Sequence, residues 1–317
     1  MNISDFRVKI LYPVYKLAKR LINSPMHLPF DKEGEDANDA IRDILEQDSP
    51  CMISRLGKTE AHAMTAYLNS IEKKLLYKLF ALIRLEEFTW TKTIKKKMRF
   101  YSGFFPSEPD YLNKFSELML ENIKDIDVFG AWMAREIKFK DYYTEQIVVP
   151  LSTLDPCRFK NPWSKALKHK KVLVIHPFAE TIKKQYKKRE KLFDNQDVLP
   201  EFQLQTLMAV QSVAGTNVEF ATWFDALDFM CREIDNIDFD IAIIGAGAYG
   251  LPLASYIKKI GKKAIHIGGG TQILFGIKGK KWDGREFYQK LYNKHWVRAS
   301  EAETPGNIQT VENGTYW

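Results

Sequence analysis

Short, mostly apolar runs separated by amphipathic stretches set the pattern of this chain. Cys51–Ser54, 127–130, Ile147–Pro150, 172–175, Ile241–Ile244 and 264–267 read as buried strands. Each is four residues long, rich in β-branched or other apolar side chains, and bounded by glycine or polar residues. Helical spacing of apolar positions predicts helices over 35–46, from Thr59 or Glu60 onward, and over 110–124, 180–191, 226–234 and 251–260. The Leu-, Lys- and aromatic-rich stretch 71–97 is expected to be helical as well, and 204–210 fits strand or helix equally. Strands alternating with helices predict an α/β, Rossmann-like fold: a mostly parallel sheet with helices on both faces.

The ends of the chain differ from this body. Residues 6–22, FRVKILYPVYKLAKRLI, place Leu11, Val14, Tyr15, Ala18, Leu21 and Ile22 at helical spacing, with Lys16, Lys19 and Arg20 largely opposite. Such a helix either lies on an anionic membrane surface or docks its apolar face on the protein body. Residues 24–31 hold two prolines and read as a linker, so 1–30 form an N-terminal helix and linker. The main domain spans 31–299, with a helical insertion at about 71–124. Residues 300–317 form an irregular arm whose Tyr316-Trp317 folds back onto the body.

Composition narrows the partners without choosing one. Apolar residues make up 45% of the 317, enough for a sizeable core, and a net charge of +7 favours anionic ligands. Basic residues are spread through amphipathic helices without a nucleic-acid-binding signature, which argues against nucleic acid. The three cysteines form no CxxC pair, as expected of thiols in a reducing cytoplasm. No apolar run approaches the ~20 residues that span a bilayer. A cytoplasmic protein, peripheral on the inner membrane face if residues 6–22 bind there, is the expectation.

Four turns carry the candidate chemistry. Gly245-Ala246-Gly247-Ala248-Tyr249-Gly250 follows a buried strand and precedes a helix. Glycines there allow close backbone approach to an anion, and the helix start offers unpaired N–H groups. A dinucleotide is disfavoured, because the next strand ends in His266-Ile267-Gly268 with no carboxylate to hold a ribose. A phosphate or sugar contact and a purely structural turn both remain open. That next strand leads into Gly268-Gly269-Gly270-Thr271, and glycine turns on neighbouring strands would line one crevice. The strand 172–175 ends in His176-Pro177-Phe178-Ala179-Glu180. Either His176 or Glu180 is an acid/base or ligand anchor; the alternative is a packed imidazole and a helix-capping carboxylate.

The fourth turn is Met52-Ile53-Ser54-Arg55-Leu56-Gly57-Lys58-Thr59-Glu60. It resembles the RFGDGE-type signature of the GT-D glycosyltransferases, a family once classed as a domain of unknown function. The strand and turn at 241–250 and the strand ending in Ile267-Gly268 are similar to the C-terminal half of that domain, so the resemblance covers about 35–280. It implies transfer of a sugar from a nucleotide-sugar donor to a bacterial surface-glycan or lipid-linked acceptor. Family members use an Asp-x-Glu pair with a divalent metal bridging to the diphosphate. Here the Glu is Glu60, but the Asp position is Lys58, which has no lone pair to ligate a cation while protonated. The expectation is therefore a metal-independent site, with Mn²⁺ or Mg²⁺ as the alternative. In it Lys58 and Arg55 stand in for the metal's charge at the leaving diphosphate, and Glu60 either pairs with Lys58 or takes the acceptor's proton. Gly57, Gly245, Gly247, Tyr249, Gly250, Gly269, Gly270 and Thr271 are the further donor-binding candidates. Trp132, just after the strand 127–130, is the best candidate for stacking on a base or sugar. Two other readings compete: a non-catalytic sugar-nucleotide-binding or scaffold protein of glycan assembly, and another Rossmann-like transferase such as a methyltransferase.

Overall fold

The computed structural model describes residues 28–73, 87–311 and 313–317. The amphipathic segment 6–22 lies outside them. Seven strands form one all-parallel sheet in the order β3-β2-β1-β7-β6-β4-β5. They are β1 (Cys51–Ser54), β2 (Val128–Ala131), β3 (Ile147–Pro150), β4 (Lys171–His176), β5 (Gln203–Met208), β6 (Ile241–Ile244) and β7 (Lys263–His266). The chain is thus an α/β protein of Rossmann-like type.

Alternating side chains build two cores from the same strands. Met52, Phe129, Leu173, Ile175, Ala242, Ile244 and Ala264 face one side. There they meet α2 (Lys58–Ile71), α4 (Pro109–Ile123), α6 (Trp223–Asp235) and α7 (Gly250–Lys259). Cys51, Ile53, Val128, Val172, Val174, Ile241, Ile243 and Ile265 face the other side. That side is covered by α1 (Gly34–Glu46), α5 (Ala179–Tyr186), α8 (Gly270–Leu274) and the short turns of 151–167. Burial on both faces explains why the strands read as continuous apolar runs rather than as alternating ones.

Two expectations need correction, and one open alternative is resolved. The predicted helix over 71–97 is interrupted: α2 ends at Ile71, residues 87–91 are not helical, and α3 (Lys92–Phe100) starts afresh with Thr91 Oγ1 accepting from the Ile94 N–H at 3.2 Å. The basic helix expected over 180–191 stops at Tyr186, followed by a single 3₁₀ turn over Arg189–Lys191. The ambiguous 204–210 is the edge strand β5, paired in parallel with β4. Within 71–124, α4 packs with α2 and α7 in one helical layer.

The connections fix where a ligand can sit. From β4 the chain moves outward to β5, whereas from the adjacent β6 it moves the opposite way to β7. Two neighbouring strands whose continuations diverge open a crevice at their carboxyl ends, the usual ligand position in an open α/β sheet.

Candidate functional site

A cavity of about 350 Å³ occupies that crevice. Its walls come from the turns after β1 (Arg55 to Glu60), β2 (Trp132), β4 (His176 to Phe178), β6 (Gly245 to Gly247) and β7 (Gly268 and Gly269). The loop 210–213 and residues 311, 316 and 317 close it. The four glycine- or proline-containing turns singled out in the sequence therefore converge on one space.

At one end lie the cations. Arg55 leaves β1 beneath Trp132, its guanidinium carbon 5.7 Å from the indole centroid. Its Nε is buried without a hydrogen-bond partner, and no carboxylate forms an ion pair with Arg55 or Lys58 among the described residues. Lys58, the first residue of α2, is exposed and lines the cavity mouth. Two positive groups that form no ion pair among the described residues, in a concave, partly apolar wall, make an anion-receptive end. Trp132 is 42% exposed, unusual for so large an apolar ring. It is nevertheless held in place: its Nε1–H donates to the Leu56 carbonyl at 3.1 Å. Its backbone is fixed from beneath by Glu136, whose Oε2 accepts from the N–H groups of Trp132 (2.8 Å) and Met133 (2.9 Å). Burial pushes the Glu136 carboxyl up to about 7, against those two N–H groups and the nearby Arg55.

Glu60 folds back over the start of its own helix. A Cβ built on Gly57 would lie 1.8 Å from Glu60 Oε2, so only glycine admits the carboxylate at this position. Among the described residues Glu60 makes no ion pair with Lys58; of the two roles open to it in the sequence, pairing is not what this arrangement displays.

The middle of the cavity holds two neutral histidines. His176 Nδ1 accepts from the Phe178 N–H at 2.9 Å, which leaves the proton on Nε2. His266 Nδ1 lies 3.2 Å from the Ile244 carbonyl and so carries the proton, leaving Nε2 as an acceptor. Burial pushes both imidazoles down to about 3, with Arg55 reinforcing the effect at His266 and Glu303 opposing it at His176. His176 is therefore not a general base near neutrality, its only free nitrogen already bearing a proton. The ligand-anchor role survives as a neutral N–H donor. The sign for stability follows. Unfolded histidines take up a proton near pH 6.5, while these two resist until about pH 3, so the unfolded state binds more protons between those limits. Stability is expected to fall as pH drops from 6.5 toward 3. In thermal melts across that range, His176→Gln should show a shallower decline than the wild type.

The remaining sequence candidates divide. Gly245 lies at the closest approach of three turns: a Cβ there would meet His176 Cδ2 at 2.4 Å, the Gly268 carbonyl at 2.8 Å and Thr271 Oγ1 at 2.8 Å. Gly247 and Gly269 line the cavity, whereas Gly250, Gly270 and Thr271 lie behind it. The Gly250 α-carbon is covered by the His266 ring, and Thr271 is fully buried. Tyr249 lines the cavity, but its ring is stacked on Trp223 at 4.7 Å and 8°, and its hydroxyl is 3.1 Å from Ser212 Oγ. It is a packed wall rather than a platform. Glu180 is outside the site: its exposed carboxylate pairs with Lys183 at 2.7 Å, one helical turn on. The turn that was expected to aim it inward begins α5 at Ala179, which sends the side chain at 180 to solvent.

Sequence reasoning missed His266, Ser102, Lys281 and Glu303. His266 had a visible signal, since it ends a strand beside the glycine turn. Ser102 and Lys281 come from distant connections with no motif. Among the described residues no three His, Cys, Asp or Glu side chains converge to hold a metal ion. No helix among them is long and apolar enough to cross a membrane.

No protein-family model matches this chain, and no curated protein or solved structure matches it.

Proposed function

We propose that this chain is a glycosyltransferase of the GT-D type that moves a sugar from a nucleotide-sugar donor to a surface-glycan or lipid-linked acceptor. The observation that carries the reading is the pair Arg55 and Lys58, cations in no ion pair among the described residues, lining a carboxyl-edge crevice where Arg55 lies under an exposed, fixed indole. A diphosphate attached to a flat heterocycle complements that end: charge against charge, ring against ring.

In the reaction, the bond between the anomeric carbon and the diphosphate oxygen breaks, and its electron pair leaves with the diphosphate. Arg55 and Lys58 stabilise the growing negative charge, an interaction stronger in the transition state than in the ground state. The acceptor oxygen bonds to the anomeric carbon and gives up its proton. Among the described residues Glu60 is the one side-chain carboxylate lining the crevice, and it takes that proton. The neutral His176 Nε2–H and His266 Nε2 offer one donor and one acceptor to sugar hydroxyls. No step is routed through a metal ion.

The test is a screen of nucleotide sugars by thermal shift, followed by an assay for nucleoside diphosphate release from the stabilising donor. Stabilisation together with release is the expected result. Stabilisation without release under any acceptor condition selects the binding or scaffold reading. Stabilisation by S-adenosylmethionine instead selects the methyltransferase.

A further inference from the structure

The N-terminus of α5 is already filled by the chain itself. Glu303, 5% exposed, accepts at Oε1 from the N–H groups of Glu180 (2.8 Å) and Thr181 (3.2 Å). Its Oε2 accepts from the hydroxyls of Thr181 and Ser300, the latter at 2.7 Å. Although burial opposes it, this set of donors holds the carboxyl below its usual range. From that anchor the segment 300–317 runs over the crevice. Val311 is buried, and a Cβ on Gly269 would meet the Tyr316 ring at 2.8 Å. Gln272 Nε2 donates to the Tyr316 carbonyl at 3.1 Å, and Trp317 sits edge-on to Phe178 with centroids 6.1 Å apart. Val311, Tyr316 and Trp317 all line the cavity.

We propose that Glu303 is a positioning residue: it pins segment 300–317 so that Tyr316 and Trp317 form a second aromatic wall of the ligand site, in addition to Trp132. The inference rests on the nucleotide-sugar reading for the ligand's identity, but the pinning itself is independent of it. Two consequences follow. The donor's phosphates bind at the Arg55 end and not at the start of α5, which carries an internal carboxylate. Ligand affinity also depends on a residue that does not touch the ligand, since a mobile wall must be ordered on binding.

The experiment uses the full chain and its Glu303→Ala and Glu303→Gln variants. Backbone hydrogen exchange of 300–317, and of the amides of Glu180 and Thr181, is measured without ligand. Binding of uridine diphosphate is then measured by calorimetry. In Glu303→Ala, exchange in both regions should accelerate about tenfold or more, and affinity should fall about tenfold. Acetate at tens of millimolar should restore both in Glu303→Ala, by refilling the vacated donors, and change neither in the wild type. A purely structural cap would not couple acetate to nucleotide affinity. Glu303→Gln, which keeps an acceptor oxygen but loses the charge, should fall between. Unchanged exchange in both variants overturns the pinning; faster exchange with unchanged affinity overturns the wall. If the wild type binds no nucleoside diphosphate, the proposed function fails, and the exchange and acetate arms still decide the pinning.

Discussion

Arg55→Ala is expected to reduce binding of uridine diphosphate by about 100-fold or more while leaving the melting temperature nearly unchanged. The two halves of this result have separate causes. Removing one partner of a desolvated, charge-assisted contact typically costs about 2–5 kcal/mol, and each 1.4 kcal/mol is a factor of ten. Stability is spared because the guanidinium makes no ion pair among the described residues, its buried Nε is already unpartnered, and burial, not Arg55, is the largest influence on the nearby Glu136 carboxyl. The indole that lies above it keeps its own bond to Leu56 and its own backbone support from Glu136. Calorimetric titration paired with thermal melts checks both halves. A large drop in melting temperature would mean that Arg55 is a structural cation and that the cavity's positive end is a by-product of packing.

The second large effect is on turnover. Lys58→Ala should lower the rate of sugar transfer by about 10²–10³-fold, the range seen when one group that stabilises a developing oxyanion is removed. Donor affinity should change far less, because the charge on the diphosphate grows as the glycosidic bond breaks. The side chain is exposed at the start of α2, so its loss leaves no cavity and stability is expected to stay within about 0.5 kcal/mol. Steady-state kinetics with Lys58→Ala and Lys58→Arg separate the effect of charge from that of shape. Wild-type turnover in Lys58→Ala would place the ammonium in solvent during the reaction and leave Arg55 as the only cation at the leaving group.

The legible and illegible parts of this fold divide by sequence distance. β1, β3 and β6 were read to the residue, because a run of apolar residues ending at a glycine or a polar turn is a local signal. The convergence of the turns was legible too, once the strands were taken as parallel: carboxyl ends of neighbouring strands share an edge. What failed needed tertiary information. The aim of Glu180 depended on which face of α5 packs on the sheet, and that face is Ala179, Thr181, Ile182 and Gln185. The protonation of His176 depended on a bond to Phe178 and on burial under the turn at Gly245. Tyr249 was offered as a donor contact, but its ring is taken by Trp223. Glu303 meets Thr181 across 122 residues of chain, and no local pattern marks an acidic residue in an irregular arm as the cap of a distant helix. The fold-back of Tyr316-Trp317 was expected from the sequence, yet its anchor was not.

The departure at Lys58 gives the site its distinctive chemistry. Where the resemblance implies a carboxylate and a metal ion, this chain offers an ammonium beside a guanidinium, with Glu60 turned back over Gly57. Under the proposed function, positive charge at the diphosphate is carried by these two side chains in place of a bound ion. Calorimetric titration of uridine diphosphate into the wild-type protein in excess EDTA tests that exchange most directly. The expected result is saturable binding with an affinity that added Mn²⁺ or Mg²⁺ does not raise. Binding that is absent in EDTA and appears on adding either ion would contradict it.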